Sequence, residues 1–200
     1  MDSFANPKIS STQNSTLLIR HLFQVFMQPQ LPQLIPSEIC LDCPVCCRFP
    51  EKQAALSPFF FPEERIQAEQ LKPKGSFREA GKGLPSKAQL VACGHGFACS
   101  FFNPEDHTCQ VYEARPLDCS MYPAVVMHSR DHEKVLVGAD TKCPALKRPS
   151  VAAKISSYLD LIQRYLESTT LPSLIRKYPQ FISEFQEEVV EVRELSLGKA

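Results

Sequence analysis

The chain has 200 residues, about one domain's worth, and its 22 Lys plus Arg balance 22 Asp plus Glu, so no bulk basic field exists to gather nucleic acid or anionic lipid. Nucleic acid is not expected as a partner. Nine cysteines are too few for a secreted disulfide scaffold, which runs to about 8–10 % Cys, while 17 prolines, seven glycines and no tryptophan favour fixed turns over long regular elements.

Residues 1–14 are polar and expected to be loose. Their opening, Met1 to Pro7, has neither the charged nor the apolar region of a secretory signal, which makes a cytoplasmic protein the expectation. Ser15 and Thr16 can cap a helix with Leu18, Leu22, Val25 and Phe26 on one stripe, ended by Pro29, Pro32 and Pro36 and expected to pack on the domain's own core. The stretch 17–27 is interrupted by Arg20, His21 and Gln24 and is too short for a transmembrane segment.

Further on, Pro62-Glu63-Glu64 opens a helix through Leu71, with proline in its first turn and acids where the helix dipole favours them. Residues 72–87 read as a loop. Gln89 to Cys93, Cys99 to Phe102 and Cys109 to Tyr112 read as short strands, with a turn at Asn103 to Asp106, and Ala124 to His128 pairs with Lys134 to Val137 as a hairpin. From Ser150, Ile155, Tyr158, Leu159, Ile162, Tyr165 and Leu166 recur at helical spacing; a short segment at 171–178 and a final acidic helix from about Gln180 to Glu194, presenting Phe181, Ile182, Phe185 and Val189, complete a helical flank. The expected fold is α+β: a small irregular cysteine-cluster domain with short hairpins (37–148), between an N-terminal tail and helix (1–36) and a C-terminal helical flank (149–200), together one compact unit.

All nine cysteines lie between Cys40 and Cys143, and Cys40, Cys43, Cys46 and Cys47 fall within eight residues. Thiolates at two-residue gaps let one tight turn aim several sulfurs at one soft ion or cluster, zinc, copper(I) or iron-sulfur, and disfavour calcium and magnesium. Disulfides are a weaker reading, since nothing marks an oxidising compartment and adjacent Cys46 and Cys47 cannot pair without strain. Cys99, Cys109 and Cys119 follow at ten-residue steps, and Cys143-Pro144 closes the set. These eight thiols suffice for two four-thiolate sites, or one site plus redox-active thiols, with Cys93 as the spare. Cys46 and Cys47 project differently, which points to two neighbouring centres.

The residues Cys40, Cys43, Cys46 and Cys47, then Leu56-Ser57 and Glu63-Glu64, then Cys99-Ser100-Phe101-Phe102, the run Cys109 to Cys119 with Ala114-Arg115-Pro116, and Tyr122-Pro123 resemble the CxxCxxCC, or YkgJ-like, family of zinc- or iron-chelating cysteine-cluster proteins. The likeness spans about 37–148. Two departures are the proline- and phenylalanine-rich insertion at 57–62 and Ser120, where the family often has Arg. The resemblance implies metal or iron-sulfur binding with no fixed single activity. Some flagellin lysine N-methylases look like relatives, but Gly81-Lys82-Gly83 is a poor S-adenosylmethionine loop, so a lysine N-methylase-like enzyme is a lesser alternative.

Cys40, Cys43 and Cys46 with a remote Cys143-Pro144 partly match the bacterial ferredoxin pattern, in which proline follows the distant cysteine. An iron-sulfur cluster, 4Fe-4S in type, is therefore the first expectation, with a redox or accessory role and room for a protein partner. Against it, Pro50 stands where that pattern has its fourth thiol. Zinc in a structural or interaction module is the alternative. The radical S-adenosylmethionine spacing and the Gly-x-Ser-x-Gly elbow are both missing, and a metal-free thiol oxidoreductase using Cys43 and Cys46, or Cys93 and Cys99, is a third class. Arg115 is expected either to bond cluster sulfurs or to pair with a carboxylate such as Glu113 or Asp118. His95 and His107 could each replace a thiol but read as solvent-facing turn residues; His128 and His132 read as surface.

Overall fold

Prolines and glycines break up residues 48–99 so often that the strands there run only two to four residues, and tertiary contacts must hold them. In the computed structural model the described residues are 31–43, 45–72, 76–78, 84–168 and 170–197. The helix expected at 15–27 lies outside them. The chain divides into residues 1–32 and 33–200, and the elements below belong to the second unit.

Helix α1 (Ser37–Leu41) leads through a 3-10 turn, Val45–Cys47, into β1 (Arg48–Phe49). β2 (Phe59–Phe60) precedes α2 (Pro62–Leu71) and pairs antiparallel with β3 (Ser86–Lys87). β4 (Leu90–Cys93) and β5 (Gly96–Cys99) form a hairpin with β1 on the outer side of β5. Gly94 turns that hairpin at φ +60°, a conformation that suits glycine. A one-turn helix, α3 (Leu117–Ser120), leads into a second three-stranded sheet of β6 (Ala124–His128), β7 (Val135–Asp140) and β8 (Val189–Glu194), with α4 (Pro149–Ala152), α5 (Ile155–Leu166) and α6 (Leu171–Lys177) between β7 and β8. The fold is mixed α+β with small antiparallel sheets. No helix among the described residues is long and apolar enough to cross a membrane.

The expected stripe on α5 is realised: Ile155, Tyr158, Leu159, Ile162 and Leu166 are buried, each worth about 1.5–3 kcal/mol of transfer free energy, while Tyr165 is half-buried. The Tyr158 hydroxyl donates to the Met121 carbonyl at 2.9 Å and ties this helix to the segment after α3. The Phe59-Phe60-Phe61 insertion is core. Alternation along an extended chain sends Phe60 against Phe77 and Phe101, with centroids at 4.9 and 5.5 Å, and sends Phe59 and Phe61 against Phe181, at 5.9 and 5.2 Å.

Several local expectations are corrected. Residues 180–194 are no helix: a 3-10 turn, Pro179–Phe181, is followed by β8. The β-branched Val189, Val190 and Val192 fit the open edge of β7, and ladder bonds there outweigh the helical spacing of the apolar residues. The strand expected at Cys99 to Phe102 ends at Cys99, and Cys109 makes only an isolated bridge to Phe102 before a 3-10 turn, Tyr112–Ala114, because the chain must turn at both cysteines. The loop expected at 72–87 contains β3, and the helix begun at Ser150 is split into α4 and α5.

Two carboxylates staple the short elements together. Glu64, third residue of α2, accepts from the Phe61 N–H at 2.9 Å and from the Leu117 N–H at 2.8 Å, joining the starts of α2 and α3. Asp118 reciprocates by accepting from the Phe59 N–H at 2.9 Å. Burial pushes the Glu64 carboxyl up to about 8, with repulsion from Asp118 and Glu63 adding to it and the two N–H bonds opposing it. Between the ordinary 4.5 and about 8 the folded chain holds a proton that the unfolded chain has released, so this group's contribution to stability is lost as pH rises through that window. Urea unfolding across the window should show wild type losing stability with rising pH more steeply than Glu64→Gln. Parallel pH dependence in the two proteins would mean that Glu64 is ionised when folded.

Candidate metal centre

Seven of the eight predicted ligand thiols, those of Cys40, Cys43, Cys46, Cys47, Cys99, Cys109 and Cys119, line one cavity of about 510 Å³. The eighth, Cys143, is buried in an apolar cluster with Ile35 and Val151, against which Cys40 and Tyr122 pack. Cys93, expected as the spare, ends β4 and is not among the residues lining the cavity. All nine cysteines are free.

Each donor is set by local structure. Cys40 ends a helical turn, and its carbonyl accepts from the Cys43 N–H at 3.1 Å. Cys46 and Cys47 occupy successive positions of a 3-10 turn and so diverge by about 120°. In the β1–β5 ladder Arg48 faces Ala98 and Phe49 faces Phe97, which carries Cys47 toward Cys99. Gly96 permits that approach, since a Cβ there would lie 2.8 Å from the Phe49 carbonyl oxygen. The Phe102–Cys109 bridge, with Phe102 N–H donating to the Cys99 carbonyl at 2.9 Å, folds Cys109 back beside Cys99.

Several sulfurs meet backbone N–H groups two or three residues further on: Cys99 from Phe101, Cys109 from Val111, and Cys143 from Ala145 and Leu146. Such donors favour the thiolate. Burial acts against them, pushing Cys40 up to about 11 and Cys99 up to about 12, and also raising Cys109, Cys119 and Cys143. Cys46 is exposed to the cavity yet surrounded by the other thiols, and its hydrogen bond with Cys47 raises it first, burial second.

Arg115 supplies the positive charge. Its guanidinium lies 4.3 Å from the Tyr112 ring centroid, and its field opposes the upward shifts of Cys40, Cys46 and Cys109. With the Gln33 amide turned to satisfy its neighbours, its oxygen accepts from Arg115 Nη1 at 2.8 Å and its nitrogen donates to Ser37 Oγ at 2.9 Å. Among the described residues Arg115 has no carboxylate partner, so of its two expected roles the ion pair with Glu113 or Asp118 is not formed; Asp118 is taken by the Phe59 N–H. His107 borders the cavity, exposed and stacked on Phe102 at 5.9 Å, and His95 is exposed in the β4–β5 turn. His132 is a surface residue, but the half-buried His128 stacks on it at 5.0 Å and has a buried Nδ1 without a partner among the described residues.

Sequence reasoning missed Gln33, Asp118 and Asp140 as parts of the cavity wall. Asp140 is buried, accepts from the Tyr122 hydroxyl at 3.2 Å and anchors the chain before Cys143 through the Lys142 N–H at 2.9 Å. Asp118 carried a signal, an acid in a helical first turn just after Pro116.

Among the described residues no three Cys, His, Asp or Glu side chains stand as a group ready to hold an ion. Seven donors share a wall, with Cys143 behind it in the cluster on which Cys40 packs, and closing a shell needs side-chain rotation and loss of thiol protons, which metal binding can drive. By donor chemistry the wall fits a soft metal: thiols in excess, N–H groups aimed at sulfur, a largely apolar lining, and the Arg115 guanidinium, whose field acts on three of the thiols. Gly96→Ala should force β1 off β5, lowering stability by about 1–3 kcal/mol and reducing bound zinc or iron in proportion to the displaced Cys47. A urea midpoint and metal content equal to wild type would show that this approach is dispensable.

The family profile CxxCxxCC, described as "Putative zinc- or iron-chelating domain", matches residues 39–145. No curated protein matches the chain, and neither does a solved structure. The matched segment covers more than half of the 200 residues and takes in every cysteine from Cys40 to Cys143. The chain belongs to the CxxCxxCC family.

Proposed function

We propose that the thiol-lined cavity binds an iron-sulfur cluster or clusters, of 4Fe-4S type, and that the protein serves as an electron-transfer, cluster-carrying or redox-sensing accessory in the reducing cytoplasm. One observation carries this reading. Cys143, followed by Pro144, is buried in the apolar cluster against which Cys40 packs, although the two are far apart in sequence, which supports it as the fourth thiol that position 50 lacks. Cys40, Cys43, Cys46, Cys47, Cys99, Cys109, Cys119 and Cys143 are the residues that would hold the metal. A bound cluster would supply one-electron chemistry at a potential set by its net charge, its N–H···S bonds and its exposure.

The chain's own residues have separate tasks. The N–H groups of Phe101, Val111, Ala145 and Leu146 favour anionic sulfur, Arg115 offsets part of the charge, and Phe59, Phe60, Phe101 and Phe102 keep much of the wall apolar. Gln33 and Tyr112 hold the guanidinium in place. Zinc is the second reading, favoured by the two-residue strands β1, β2 and β3, which a structural ion would staple. Anaerobically purified protein is expected to absorb broadly near about 400 nm and to release acid-labile sulfide. Colourless protein carrying stoichiometric zinc would transfer the proposal to the structural alternative.

A further inference from the structure

Resting on the reading that this wall chelates metal, we infer that it holds two centres: one bound by Cys40, Cys43, Cys46 and Cys143, the other by Cys47, Cys99, Cys109 and Cys119.

The second group is fixed by the small sheet. The β1–β5 register brings Cys47 toward Cys99, and the bridge to Phe102 brings Cys109 beside it. Cys99 is buried in one apolar cluster with Phe101, Phe102 and Val111, and Cys47, Cys93 and Cys109 pack against it; of these three only Cys47 and Cys109 also line the cavity. Cys119 neighbours Cys99, Cys46 and Cys109, and the Phe59 N–H bond to the adjacent Asp118 holds α3 beside Phe60, whose ring packs 5.5 Å from Phe101 of that cluster. The first group belongs to a different cluster. Cys40 packs with Cys143 beside Ile35, Ala145 and Val151, and Cys43, bonded to Cys40 through the backbone, is a charged neighbour of both.

Cys46 is the shared boundary. It neighbours thiols of both groups, but the 3-10 turn separates its direction from that of Cys47 by about 120°. With Cys47 taken by the sheet, Cys46 falls to the first group and completes Cys40-x2-Cys43-x2-Cys46 with the remote Cys143. Each group then has the four thiolates that a zinc ion or a cubane cluster takes. The double cysteine at 46 and 47 is where one chain crosses between two centres.

The test uses the full chain, stripped and reloaded anaerobically with zinc, with cobalt(II) as the spectroscopic probe. Cys143→Ser and Cys109→Ser should each bind half as much zinc as wild type, the double variant none, and Cys93→Ser the full amount. In case a serine variant fails to fold, Cys143→His and Cys109→His, which keep a ligand, should retain all the metal, with only half of the bound cobalt changing its thiolate charge-transfer and ligand-field bands. A single serine that abolishes all binding in a protein still folded by circular dichroism, or a histidine that perturbs all the cobalt, means one shared centre and overturns the partition while leaving chelation intact. Wild type that binds neither zinc, cobalt nor iron defeats the chelation reading itself.

Discussion

Gathering seven thiols onto one cavity wall creates a charge problem that shapes everything around it. Burial raises the cost of ionising Cys40 and Cys99 most, and neighbouring sulfurs add to it, so both stand well above the ordinary thiol range. The buried thiols of Cys40 and Cys99 therefore stay protonated until something positive enters the wall. Metal ions suit such a place because they reverse the local logic, deprotonating the thiols they bind and turning mutual repulsion into shared attraction. The backbone N–H groups at Cys99, Cys109 and Cys143 are already turned toward sulfur. They favour the state that the metal creates.

A wall of this kind needs a scaffold that does not depend on its own ladders, since strands of two residues contribute few bonds. The Phe59-Phe60-Phe61 insertion provides part of it by alternating between two aromatic groups, one under the cysteine sheet and one reaching Phe181 and Tyr178. The reciprocal contacts of Glu64 with Leu117 and of Asp118 with Phe59 provide the rest. Both carboxylates receive N–H groups from the opposite element. This arrangement locates α3, and hence Cys119, relative to the insertion.

What the sequence made legible follows from how local each signal is. Helix α2 was readable from end to end because Pro62 and the two acids mark its start within the chain itself, and the face of α5 was readable because five buried residues repeat along one short helix. The cysteine pattern was readable for the same reason, as spacing within a turn. The strand at 189–194 was not, because its pairing partner lies some fifty residues earlier in β7. The two roles open to Arg115 could not be separated by spacing, because Asp118, one of the carboxylates within reach, is engaged by a backbone N–H far away in sequence. The roles of Cys46 and Cys47 needed the β1–β5 register, which spacing cannot supply.

The same electrostatics bear on metal-free thiol chemistry. A nucleophilic cysteine is activated by a lowered pKa beside a cation, a helix N-terminus or a base. Here the Arg115 guanidinium only moderates upward shifts whose leading causes are burial and, at Cys46, the bond to Cys47. Lys72 is occupied by the Ser100 carbonyl and the Gln110 side chain, and Cys99, half of one pair considered for disulfide exchange, is pushed up to about 12. A thiol held there is a poor attacking group without metal and, once deprotonated by one, a strong ligand. What burial makes costly here is loss of the thiol proton, and that is the step a bound metal would drive.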